Sequence, residues 1–95
     1  MSHSFDDYHS CLEQSFLLQQ DDYRDTLQLV EVNRLSKAQS IGDREPFSIV
    51  FQSVNKEPIP QQIYRLSNEQ LGDLEIFIVP IGQDEAGVRY EAVFS

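Results

Sequence analysis

Between Leu74 and Phe94 apolar and polar residues alternate closely enough to predict two strands and the turn that joins them. In the first run Leu74, Ile76 and Ile78 share one parity, and Glu75, Phe77 and Val79 share the other. Only Glu75 is polar, which predicts a central strand covered on both faces, with Phe77 in the core. Pro80 lacks a ladder donor and closes the run, while Gly82, Asp84 and Gly87 supply turn chemistry. Val88, Tyr90, Ala92 and Phe94 then line one face of a second strand, against Arg89, Glu91 and Val93, and Phe94 joins the predicted core.

The same reading applied upstream predicts the rest of the fold. Ser4 is an N-cap with Asp7 at the capping-box position, and Phe5, Tyr8, Cys11 and Leu12 recur at helical spacing, so a short helix is expected over 5–13. Phe16 to Leu18 predicts a first strand. Thr26 to Leu35 predicts a second, whose alternation slips between Leu29 and Val30; a β-bulge there restores one buried face, and burial on both faces is the alternative. Residues 36–46, with Gly42, Pro46 and four charges, are expected to form an exposed loop. From Pro46 to Val54 the pattern is a strand with Phe47, Ile49 and Phe51 inward and Ser48 and Gln52 outward. Asn55 to Pro60 is a turn, followed by a short strand from Gln62 to Leu66. Ser67 and Gln70 have capping-box spacing, which predicts one helical turn closing at Leu71 with Gly72 in the left-handed position.

Six short strands and one short helix predict a mainly β, antiparallel fold that closes into a small barrel or folds over as a sheet, in a single domain over 1–95. A helix this short plugs one end of such a structure and cannot cover its face. An α+β sheet with a helix against it is the alternative. Pro58 and Pro60 precede a short strand, so residues 55–66 are the expected free edge, since proline is tolerated where no ladder bond is needed.

Composition narrows the function. The chain has 95 residues, 40% of them hydrophobic, with six Phe and four Tyr, which is enough apolar surface to fold one compact core. There is no apolar run long enough to cross a membrane as a helix and no basic leader followed by an apolar stretch, so a soluble, cytoplasmic protein is expected. The single cysteine, Cys11, fits a reducing compartment and leaves stability to packing. A formal charge of −9 argues against direct nucleic-acid binding, which relies on clustered Lys and Arg.

Candidate chemistry is sparse. His3, His9 and Cys11 are the soft metal ligands, but they are too few and wrongly spaced for a zinc site. Asp21, Asp22 and Asp25 lack the EF-hand pattern and read as an acidic turn, and Asp84 and Glu85 read as a hairpin loop. Cys11 and His9, two apart on a helix, diverge by about 200° and form no thiolate pair. No nucleophile elbow, phosphate-cradling loop or dinucleotide fingerprint is present. No catalytic residue, metal or cofactor is therefore expected. Tyr64, Arg65, Arg89 and Tyr90 are the candidate binding residues: on neighbouring strands, an arginine could stack on a tyrosine or meet Glu75 or Glu91, and Tyr and Arg are the types that anchor interfaces.

The order IYRL from Ile63, LG at Leu71 and Gly72, LEIFIVPIG from Leu74 and GVRYEAVF from Gly87 resembles a family of small bacterial domains of unknown function. The upstream stretches PFSIVFQ and TLQLVEVNRL sit where that family's preceding strands are expected. The chain departs from the pattern at Asn68-Glu69, where members often carry His-Pro, and at Ser95. The resemblance implies a compact β-fold with no known catalytic activity, and an accessory or structural role beside phage-tail-collar-type proteins. Two functions are therefore expected. One is a non-enzymatic structural or adaptor module that binds another protein, as part of a phage-tail-like assembly. The alternative is an acidic inhibitor that occupies a basic or nucleic-acid-binding surface of its partner.

Overall fold

The computed structural model describes residues 3–35 and 46–94. Its elements are α1 (Phe5–His9), β1 (Ser15–Gln20), β2 (Tyr23–Arg34), β3 (Phe47–Ser53), β4 (Gln62–Asn68), β5 (Gly72–Asp84) and β6 (Gly87–Phe94). The strands close into an antiparallel barrel in the order β1-β2-β3-β6-β5-β4. The predicted loop at 36–46 lies, apart from Pro46, outside the described residues.

The helix starts as expected. The Asp7 N–H donates to Ser4 Oγ at 3.3 Å and the Ser4 N–H to Asp7 Oδ2 at 2.8 Å, the reciprocal bonds of a capping box. It stops at His9 because the chain turns away to pair: Glu13 takes φ +71, its N–H donates to the Leu29 carbonyl at 2.8 Å, and the Leu29 N–H donates to the Gln14 carbonyl at 3.1 Å. The turn after the helix thus covers part of the β2 edge. Tyr8 plugs the adjacent end of the barrel, stacked on Phe94 at 5.3 Å, and Phe47 and Phe94 stack on each other at 4.9 Å. Arg34 at the end of β2 lies 4.0 Å above the Phe5 ring.

The expected bulge is present: the β2–β3 register passes from Leu29↔Phe51 to Glu31↔Val50, skipping Val30. Leu27 and Leu29 are buried before it, with Val32 half-buried after it. The strand covered on both faces is β3, where Ser48 and Val50 are buried together with Phe47, Ile49 and Phe51. The sequence pattern predicts that role for β5. There Leu74, Ile76 and Ile78 face the core, but Phe77 is 50% exposed, which removes it from the core. A barrel wall has only one interior, so an apolar residue of the wrong parity must face out unless something lies over it. Phe94 is half-buried at the plugged end.

Between β4 and β5 the expected helical turn is instead a tight hairpin. Asn68, not Ser67, organises it, with Oδ1 accepting from the Gln70 and Leu71 N–H groups at 2.8 and 3.0 Å. Gly72 takes φ +78, the left-handed conformation expected of it. Asp84 behaves as a hairpin-loop residue should, accepting from the Ala86 N–H at 2.9 Å.

Burial makes the interior tyrosines sensitive to alkali. Burial pushes the Tyr8 hydroxyl up to about 12, and burial also raises Tyr64 and Tyr90. A folded-state pKa above the unfolded value stabilises the fold below the unfolded value, near 10, and that contribution is lost as pH rises through the folded one. The urea midpoint is therefore expected to hold up to about pH 10 and fall between about 10 and 12, with Tyr8→Phe falling less steeply. An unchanged midpoint across that window would contradict it.

Candidate functional site: an open strand edge

The four residues singled out from sequence do not come together. β5 lies between β4 and β6, so Tyr64-Arg65 and Arg89-Tyr90 are not on neighbouring strands. Tyr64 and Tyr90 are buried, at 4% and 1% exposed, and present no ring to a partner. Their parity faces the barrel interior, where Tyr64 Oη donates to the Pro60 carbonyl at 2.6 Å and Tyr90 Oη accepts from the Ile59 N–H at 3.1 Å. Arg65 and Arg89 face outward. Arg65 stands opposite Glu75 in the ladder without an ion pair among the described residues, while Arg89 reaches Glu31 at 3.7 Å and donates to Gln52 Oε1 at 3.0 Å.

The two tyrosines belong to a polar network at the barrel mouth away from the helix. Asp21 and Asp22 form the β1–β2 turn, but Asp25 points inward and accepts from Ser53 Oγ at 2.5 Å. Ser53 Oγ also accepts from the Asn55 N–H at 3.0 Å, and the Asn55 carbonyl accepts from the Val88 N–H at 2.9 Å. These groups hold the 54–61 loop over the mouth and satisfy one another. No imidazole stands between Ser53 and Asp25, since His3 and His9 lie at the helix end, so the pair lacks the general base that activates a serine.

The expected free edge at β4 is not free: β4 pairs with both β1 and β5. Its pairing with β1 is short, Leu17↔Ser67 and Leu18↔Leu66. Beyond it the Gln20 side chain replaces the ladder, donating to the Ile63 carbonyl at 3.5 Å and accepting from the Arg65 N–H at 3.3 Å.

Those two bonds fix the direction of every main-chain group on β4. Ile63 and Arg65 aim at β1, so the even-numbered residues aim at β5, because the two sides alternate along an antiparallel strand. Gln62, Tyr64 and Leu66 therefore exchange bonds with Ile78, Ile76 and Leu74. Asp73, Glu75 and Phe77 must then aim their N–H and C=O groups at the opposite side, toward β6. The ladder to β6 ends at Val79↔Glu91, and no β6 residue pairs with Asp73, Glu75 or Phe77. The pairing that Val79 continues has the parity this assignment requires.

Beside this edge lies an open cleft of about 640 Å³, lined by His3, Tyr8, Arg65, Asp73, Leu74, Glu75, Ile76 and Phe94. Tyr8, Leu74, Ile76 and Phe94 form its apolar part, and Asp73 and Glu75 share its polar part with Arg65 and His3. His3 Nδ1 lies 3.7 Å from Asp7, whose carboxyl is held below the usual carboxylate range chiefly by the Ser4 main-chain bond. Where the β5–β6 ladder lapses, the outward residues on either side are apolar: Phe77 on β5 and Val93, 58% exposed, on β6, with Ile63 opposite Phe77 on β4. The arrangement offers main-chain donors and acceptors beside an apolar floor, which is what an added strand uses.

A family model described as a domain of unknown function, DUF6916, matches residues 3–94. The chain belongs to that family. No curated protein and no solved structure matches it. Among the described residues of this DUF6916 domain, no helix is long and apolar enough to cross a membrane.

Asn68, which stands out in the sequence only as a departure from the family pattern, has a structural part that the sequence does not announce. Besides holding the β4–β5 turn, its Nδ2 donates to Gln14 Oε1 and to the Ser15 carbonyl, both at 3.1 Å, and its Oδ1 accepts from Cys11 Sγ at 3.7 Å. It thus ties three segments together below the β5 edge, and the buried Cys11 thiol is raised by its burial. The signal was an asparagine before a tight turn; its partners, more than 50 residues away, carry no local signature.

Proposed function

We propose that this DUF6916 domain is a non-enzymatic binding module that takes up an extended segment of a partner protein along the edge of β5. The observation that carries this reading is the β5–β6 ladder that stops at Val79↔Glu91 and, among the described residues, leaves Asp73, Glu75 and Phe77 paired with β4 but with no partner on their β6 side. An unpaired edge in a folded protein must be shielded or used. The β2 edge is shielded by the turn after α1, through the Glu13 and Gln14 bonds to Leu29. The β5 edge has no such cover among the described residues. The sequence resemblance to small bacterial domains beside phage-tail-collar-type proteins supports a structural or adaptor role in a phage-tail-like assembly.

A second reading, an acidic inhibitor of a basic or nucleic-acid-binding surface, draws on the net charge of −9. It has less support, because the carboxylates are distributed over the helix, the turns at both ends and several strands. A mimic of a nucleic-acid backbone needs them along one face.

Glu75→Pro tests the first reading. The Glu75 N–H points away from β4, so proline there removes a donor from the open edge and no bond from the β4–β5 ladder. A displayed library of random ten-residue peptides is expected to yield binders on the wild-type domain that are lost on the folded Glu75→Pro variant. No enrichment, or enrichment indifferent to Glu75→Pro, would contradict it.

A further inference from the structure

We infer that the segment taken up by the β5 edge is basic and apolar by turns, with Lys or Arg on its outward face opposite Asp73 and Glu75. This rests on the strand-docking reading and goes further by specifying the partner's chemistry. A strand laid along Asp73 to Phe77 places alternate side chains on the two faces of the sheet. Those facing inward meet the cleft floor of Leu74, Ile76, Tyr8 and Phe94 and must be apolar. Those facing outward lie directly opposite Asp73, Glu75 and Phe77. Across a ladder, opposite charges attract and like charges repel, so two of these three positions select for a cation and the third, beside Phe77 and Val93, for an apolar group.

Charge also decides between a foreign segment and a second copy of the chain. Two β5 edges paired about a twofold axis at Glu75 would set that carboxylate against its own mate, a destabilising like-charge contact. Any second copy would also carry the same net charge of −9. Arg65 stands opposite Glu75 on the β4 side and makes no ion pair among the described residues, so the Glu75 carboxylate can meet a second cation on its other side.

The test uses the whole chain, isotopically labelled, with three ten-residue peptides that alternate valine with lysine, threonine or glutamate. Affinity is read by fluorescence anisotropy, and the location of binding by exchange protection of the Asp73, Glu75 and Phe77 amides. The lysine peptide is expected to bind roughly tenfold more tightly than the threonine peptide, and the threonine peptide more tightly than the glutamate one. Added salt should narrow the ranking, and Glu75→Lys or Asp73→Lys should reverse it. Both positions are exposed, so the fold should survive and can be checked from the amide spectrum. Equal affinities accompanied by protection of the β5 amides would overturn the basic preference and leave strand docking standing. Binding that protects none of those amides, or no binding by any of the three, would overturn both. β5 amides already protected in a self-associating wild-type protein would show that a second copy occupies the edge, and would overturn the inference.

Discussion

Gly87→Ala is expected to remove most of the domain's stability. Gly87 adopts φ +127, a conformation closed to residues with a Cβ, and an added Cβ would lie 2.0 Å from the Ser53 carbonyl oxygen and 2.9 Å from that of Asn55. Both atoms are main chain. Ser53 is held in the β2–β3 ladder opposite Leu27, and the Asn55 carbonyl accepts the Val88 N–H, so neither can move without opening the barrel mouth. Strain combined with a backbone clash places the loss at about 4 kcal/mol or more, against the 5 to 15 kcal/mol typical of a whole domain. Gly82 is the control: nothing lies within 4 Å of its Cβ position, so Gly82→Ala should stay within about 1 kcal/mol. Urea denaturation of the two variants checks the pair, and equal midpoints would contradict it.

Phe51→Ala and Phe77→Ala, chemically the same change, should differ severalfold in cost. Phe51 is fully buried and packs edge to face on Phe16 at 5.2 Å, so truncating it leaves a cavity at the barrel centre and should cost about 3 to 5 kcal/mol. Phe77 is half exposed on the outer wall and should cost about 1 kcal/mol or less. For a domain of this size 1 kcal/mol moves the Tm by roughly 4 to 8 °C, so a thermal melt separates the two easily. Phe77→Ala should instead weaken peptide uptake at the β5 edge. If it melted as low as Phe51→Ala, the outward placement of Phe77 would be wrong.

Phe77 also marks where the sequence stops being informative. Alternation located all six strands, the bulge at Val30 and the capped start of the helix, because each depends on neighbours within a few residues, but it closed the fifth strand at Pro80, where β5 continues to Asp84, and ran the helix to residue 13, where α1 ends at His9. It could not say which apolar parity of β5 faces the interior partner, since LEIFIV is apolar on both sides. Nor could it assign Ser48 to a buried site on β3, where burial depends on what lies over the strand. Tyr64 and Tyr90 read as interface residues because tyrosine beside arginine is a type that anchors interfaces. The barrel instead buries both rings and bonds their hydroxyls internally, to the backbone of Pro60 and Ile59. The free edge was assigned to the proline-flanked β4 by a local rule. The true gap lies on β5, because β5 is 13 residues long and is shared between β4 along its first half and β6 along its second. That division is a property of strand order, which no local pattern encodes.

Residue-resolved amide hydrogen exchange along β5 of the peptide-free domain tests the open edge most directly. Leu74, Ile76 and Ile78, bonded to β4, should exchange slowly, and Asp73, Glu75 and Phe77 between and beside them should exchange fast, giving a period of two that ends at Val79. Uniform slow exchange from Asp73 through Val79 in the monomer would mean that the edge is already paired, and would contradict the account.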